Sequence, residues 1–241
     1  MPKTTLGVIG GLGPIATSYF MELVINMTDA LTDQEHLDMI IYNCPSIPDR
    51  TSYILDNKQP NPVPQIINIG RNLAEQNSAY IAMPCITAHH FYDELTKEIP
   101  APIINIVTET ADYLKFSNIS NVGIMATDGT VASKLFQNAL DSRNIKAIIP
   151  SKECQQMVMD LIYSCVKAGK PIDMDKFNTV KNELLNLGAQ TIILGCTELS
   201  LIKRDYDIGA GFIDAMEVLA RESILKCGGN IKAEYNSLIT K

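Results

Sequence analysis

The sequence predicts an α/β protein built from parallel sheets and duplicated into two similar domains. Three observations carry this. Short buried-strand runs alternate with amphipathic stretches along the whole chain, the βαβ rhythm of a parallel sheet. Residues 6–17 (LGVIGGLGPIAT) superpose on 122–133 (VGIMATDGTVAS) at a constant offset of 116, pairing Gly7 with Gly123, Gly13 with Gly129 and Ala16 with Ala132. A second match, IAMPCITA at 81–88 on IILGCTEL at 192–199, has an offset of 111 and sets Cys85 on Cys196.

The elements follow in order. TLGVIGG reads as the first strand and Pro14 to Leu31 as its helix; LDMIIYN is the next strand, Gln65 to Gln76 a helix, AYIAMP a strand, Ala88 to Lys97 a helix, and PIINIV a buried-strand run. NVGIMAT, KAIIP and QTIILG repeat the rhythm in the second half. Two Pro-rich or polar segments, NCPSIPDRT at 43–51 and NKQPNPVPQ at 57–65, are predicted as loops bordering a site.

Composition narrows the function. With 27 acidic and 20 basic residues among 241, the net charge is −7, which disfavours nucleic acid as a partner. At 46% hydrophobic and 20% charged residues the chain reads as globular, without the composition of a disordered or coiled-coil protein. Its apolar runs reach only strand length and the N-terminal segment is too short and Gly-rich for a signal sequence, so a cytoplasmic location without membrane association is expected. The six cysteines form no CxxC pair and only three histidines are present, so neither a metal site nor a disulfide framework is expected.

In open α/β sheets ligands sit beyond the carboxyl ends of the strands, where Gly11, Cys85, Thr127 and Cys196 all fall. GGLGPIA at 10–16 has the GxGxxA spacing of a dinucleotide fingerprint. The following strand, however, ends in Asn43 and Cys44 rather than an acidic residue. The turn at Gly11 is therefore expected to hold a small carboxylate at a helix N-terminus. Its counterpart ATDGT offers the hydroxyls of Thr127 and Thr130 to a carboxylate or ammonium group. Cys85 and Cys196 each precede helix-start residues, so the helix field is expected to lower their thiols. Cys44, Cys154, Cys165 and Cys227 read as small hydrophobes. A thiolate and a thiol facing one carbon from opposite sides make a base and an acid, and the outcome is inversion of configuration.

These residues resemble the cofactor-independent aspartate/glutamate racemase family: GGLGPIAT at the N-terminus, PCITAH in the first half and GCTELSL in the second, in order and nearly end to end. The resemblance implies flavodoxin-like or Rossmann-like domains, an active site between them, no cofactor, a small amino-acid substrate (aspartate or glutamate foremost), a two-cysteine mechanism and a homodimer. It implies a first domain of 1–104 plus 212–241 and a second of 105–211. By motif, Cys85 and Cys196 are the acid/base pair, Thr87 and Thr197 bond substrate or thiol, Arg50 in PSIPDRT grips a carboxylate, and Lys167 in SCVKAGK meets a distal one. Glu198 reads as a helix cap, and His89 and His90 as helix-surface residues. Position 86 is isoleucine where the family has asparagine, which makes that side of the pocket apolar. The alternatives are a hydantoin racemase, a maleate isomerase, an arylmalonate decarboxylase, or a non-catalytic small-ligand sensor.

Overall fold

A computed structural model describes residues 3–241. Strand β1 (Leu6–Gly10) is buried along its whole length and lies between β2 (Met39–Asn43) and β3 (Tyr80–Ala82), parallel to both. In the second sheet β4 (Asn121–Ala126) lies between β5 (Lys146–Ile148) and β6 (Thr191–Gly195), and β7 (Phe212–Asp214) adds to β6, again all parallel. The orders β2-β1-β3 and β5-β4-β6 are the same topology twice. The repeated motifs thus occupy equivalent places, with Cys85 just beyond β3 and Cys196 just beyond β6.

Helices cover the sheets. In the first half these are α1 (Pro14–Met27), α2 (Arg50–Leu55), α3 (Val63–Glu75) and α4 (Tyr92–Glu98). Then come α5 (Ile106–Phe116), α6 (Asp128–Ala132), α7 (Leu135–Asp141), α8 (Lys152–Met159), α9 (Met174–Asn186), α10 (Thr197–Asp205) and α11 (Ala215–Lys226). Local chemistry sets several starts: Pro14 follows the N-cap Gly13, where its missing N–H costs nothing, while the side chains of Asn105, Ser151, Asp173 and Asp214 accept from the first free amides of α5, α8, α9 and α11.

One core joins the two halves. Leu6, Val8, Phe20 and Val24 share a cluster with Ile124, Phe136, Ile193, Met216 and Leu219, and α11 packs on α1, α5 and β3. The outer faces keep separate clusters, around Ile66, Leu73 and Met83 in the first half and around Phe177, Phe212 and Val158 in the second.

Four features differ from the sequence reading. The helix expected to reach Leu31 ends at Met27, where Thr28 turns extended and bridges Ile231. The 102–107 run makes a single bridge, Ile103 to Ile81, before Asn105 caps α5. Residues 87–91 form a 3-10 turn, and the α-helix after Cys85 begins only at Tyr92. Finally, β7 is hydrogen-bonded to β6, and Ile239 bridges Ile213 antiparallel, so a division at 212 falls inside the second sheet. On this pairing the chain leaves the second sheet after β7, at the start of α11.

Candidate active site

The two sheets present their carboxyl ends to a common cleft. Its inner pocket is walled by Leu12, Asp49, Arg50, Thr51, Cys85, Ile86 and Thr87 from the first half and by Thr127, Tyr163, Lys167, Cys196, Thr197 and Glu198 from the second. Its free volume is about 10 Å³, room for one water. It adjoins an open outer pocket of about 410 Å³ reached past Leu12, Asp49, Arg50, Lys167 and Glu198 and lined further out by Pro14, Ile15, Pro45, Ile47, Val166 and Leu201. A substrate enters the inner pocket only if these walls part.

Several contacts hold the walls together. The Thr87 hydroxyl lies 2.9 Å from that of Thr127 and 3.0 Å from that of Thr130, which are themselves 3.1 Å apart. Gly129 sits against Thr51 and Thr87 so closely that a Cβ there would stand 3.0 Å from the Thr51 Cα. The Tyr163 hydroxyl donates to Asp49 Oδ2 at 3.2 Å. Burial pushes the Tyr163 phenol up to about 12, so it stays a donor. Lys167 Nζ stands 4.3 Å over the Tyr163 ring, 3.8 Å from Asp49 and 3.9 Å from Glu198. Burial works against its charge and the Glu198 and Asp49 carboxylates restore it, the net being upward. Burial likewise opposes the Asp49 carboxylate, but the Ser52 amide, Lys167 and Arg50 hold it below the usual range.

The two cysteines sit in different electrostatic settings. Cys196 is the N-cap of α10, where the helix field was expected to lower its thiol. Instead burial pushes it well above its ordinary value, with the Glu198 carboxylate adding to the effect. The thiol donates to Glu198 Oε2 at 2.9 Å. Cys85 has Arg50 as neighbour: burial opposes the Arg50 charge, and the Cys85 sulfur and Asp49 more than restore it. Arg50 is 6% exposed and pinned, Nη1 donating to Ile47 and Pro48 carbonyls at 3.2 and 2.9 Å and Nη2 to Leu12 at 2.7 Å. Among the described residues its buried Nε has no hydrogen-bond partner, so two of a guanidinium's five N–H donors remain for another group.

Other expected residues fall differently. Gly11 borders the outer pocket, but its amide donates to Thr17 Oγ1 at 2.9 Å and is not offered to a ligand. Thr130 stands behind Thr127 rather than on the wall, fully buried. Thr197 lies on the wall, its hydroxyl 3.3 Å from Glu198 Oε2. Glu198, read as a cap, is 4% exposed and faces the pocket. His90 is exposed and stacks edge-on with Phe91. His89, by contrast, is buried: Nδ1 lies 3.0 Å from the Cys85 carbonyl, and Nε2 lies 3.3 Å from the Ile104 carbonyl and 3.4 Å from the Ile106 amide. Burial lowers the proton affinity of the ring.

A pH dependence of stability follows. A histidine whose native proton affinity is depressed supports the fold above the unfolded value of 6.5 and loses that support as pH falls through its lower native value. The urea midpoint should therefore drop below about pH 6.5, and His89→Gln should flatten this part of the curve. An unchanged slope in the variant would assign the acid limb to other groups.

Asp49, Tyr163 and Glu198 are the site residues that sequence reasoning missed or misread. Asp49 and Glu198 stand next in sequence to singled-out residues, Arg50 and Thr197, which is the signal that was available. Tyr163 lies in a π-helical stretch, Asp160–Val166, that continues α8, and carries no motif.

A duplicated α/β fold that closes one cysteine from each half onto a single pocket defines a narrow class of protein. The chain belongs to the Asp/Glu/Hydantoin racemase family, whose model matches residues 9–223. Among curated relatives, the broad specificity amino-acid racemase RacX of Bacillus subtilis is 26% identical over 223 residues, 91% of this chain and 96% of that protein. Among solved structures, Picrophilus torridus aspartate racemase is 33% identical with a TM-score of 0.85, covering 97% of this chain and 98% of its own. Francisella tularensis glutamate racemase, solved with D-glutamate, shares the fold at 18% identity and a TM-score of 0.65, covering 92% and 80%.

Proposed function

We propose that this protein is a cofactor-independent amino-acid racemase in which Cys85 and Cys196 exchange a proton with opposite faces of the substrate α-carbon. The observation that carries this reading is that the two cysteines, each beyond the equivalent strand of its sheet, wall the same pocket. One sulfur removes the α-proton and the other returns a proton to the opposite face. The free donors of Arg50 bind the α-carboxylate, and the guanidinium charge also stabilises the enolate as it forms. Thr87, Thr127 and Thr197 supply hydroxyls around it, while Thr130 positions Thr127. Lys167 is the group for a distal carboxylate, and aspartate or glutamate is the leading substrate. Asp49 and Glu198 already share Lys167, so an acidic side chain has to displace one of them.

The test is α-proton exchange in heavy water across a panel of L- and D-amino acids, without added pyridoxal phosphate. Aspartate or glutamate should incorporate deuterium at the α-position from either enantiomer. Failure of every amino acid to exchange would overturn the reading. A homodimer in the cytoplasm belongs to the same proposal. In the stretch from Tyr19 to Leu31, Phe20, Leu23, Val24 and Met27 face the core, but Met21, Ile25 and Leu31 stay exposed, with Ile15 one turn before. Sedimentation equilibrium should give twice the chain mass of 26.5 kDa; the monomer mass at micromolar concentration would reject the dimer.

A further inference from the structure

We propose that Glu198 is a positioning residue for this reaction: its buried carboxylate takes the hydrogen bond of the Cys196 thiol and holds the proton on that sulfur in the free enzyme, leaving Cys85 to remove the first α-proton. The inference rests on the two-cysteine reading above, and its ground is geometric. Glu198 Oε2 lies 2.9 Å from Cys196 Sγ and 3.3 Å from Thr197 Oγ1. Oε1 lies 3.9 Å from Lys167 Nζ and faces Gly13, the N-cap of α1, where a Cβ would stand 2.9 Å from it. A buried carboxylate keeps its charge only with such partners, and here a cation, a hydroxyl and the positive end of a 14-residue helix supply them.

With the acceptor charged, the sulfur beside it keeps its hydrogen. A thiolate in that place would set two anions at hydrogen-bond distance, and this repulsion acts with burial to push the Cys196 thiol up. The other ionisable groups at the pair are Tyr163 in the π-helical stretch and Lys167 just after it, Asp49 and Arg50 at the start of α2, and Cys85 beyond β3.

The step balances without a co-reactant. The α-C–H bond breaks, its proton going to the Cys85 sulfur and its electron pair staying on the substrate as the enolate. The Cys196 S–H bond then breaks, its proton going to the opposite face of the carbon and its electron pair to the sulfur. The proton gained at Cys85 must return to Cys196 before the next turnover in the same direction.

Glu198→Gln and Glu198→Asp test this with two measurements. One is the pH dependence of α-proton exchange. The other is the pH dependence of Cys196 alkylation by iodoacetamide, followed on its own peptide by mass spectrometry, which requires no turnover. In Glu198→Gln the basic limb of exchange and the onset of Cys196 alkylation should both move down by about one pH unit or more. Glu198→Asp, which keeps the charge, should return both toward wild type. The same Cys196 titration in Glu198→Gln and wild type, whatever happens to activity, would overturn the proposal. So would a raised KM with an unshifted pH profile, which would make Glu198 a substrate ligand instead. If wild type exchanges no α-proton at all, the racemase reading falls, and the alkylation result still decides whether Glu198 holds the Cys196 proton.

Discussion

Cys85→Ser and Cys196→Ser should each lower racemisation by at least about 10²- to 10⁴-fold, the contribution of one positioned acid or base. A serine hydroxyl is too weak an acid to supply an anionic base near neutral pH, so it replaces the sulfur in shape but not in chemistry. The two variants should differ in what survives. With Cys85 remaining, deuterium from heavy water should enter only the enantiomer whose α-hydrogen faces Cys85; with Cys196 remaining, only the opposite one, and at higher pH because burial and Glu198 keep that thiol protonated. Proton NMR on each enantiomer reads this directly. Full racemisation by either variant would leave the two-base mechanism without support.

The second large effect is on stability. Gly11→Ala should destabilise the fold by about 3 kcal/mol or more, at the upper end of single substitutions. Two causes add. Gly11 has φ of +86°, a region that costs a residue with a Cβ about 1–2 kcal/mol. A Cβ there would also lie 2.3 Å from both the backbone carbonyl carbon and the amide nitrogen of Cys44, which cannot yield as a flexible side chain would. Cys44 is tied by its amide to the Gly10 carbonyl at 3.1 Å, so the displacement would pass into β1 and β2. Urea denaturation measures the loss. A variant of native stability that has lost only activity would return Gly11 to the substrate-binding role read from the sequence.

These two predictions separate what the repeat signalled from what the turn motif signalled. The Cys85 and Cys196 correspondence was legible because duplication preserves strand order, and strand order places the residue after β3 and the residue after β6 at equivalent sheet ends. The GxGxxA turn was legible as a close backbone approach, but its partner is the Cys44 backbone and not a ligand. Spacing reports that backbone comes near something; it does not say what.

The sequence by itself determined the α/β class, the duplication, the pairing of the cysteines and the family, because each is written in local periodicity or short motifs that neighbouring residues satisfy among themselves. The tertiary structure alone decided what Cys196, Arg50, Glu198 and His89 face, and how tightly the cleft closes. Cys196 illustrates why. Its place at a helix start is local and was visible, whereas burial is summed over both halves and outweighs the helix field there. His89 likewise reads as an exposed helix residue until the 104–106 segment folds over it and meets Nε2, with Nδ1 against the Cys85 carbonyl. Charge state and burial depend on residues far apart in the chain, and no spacing along it records them.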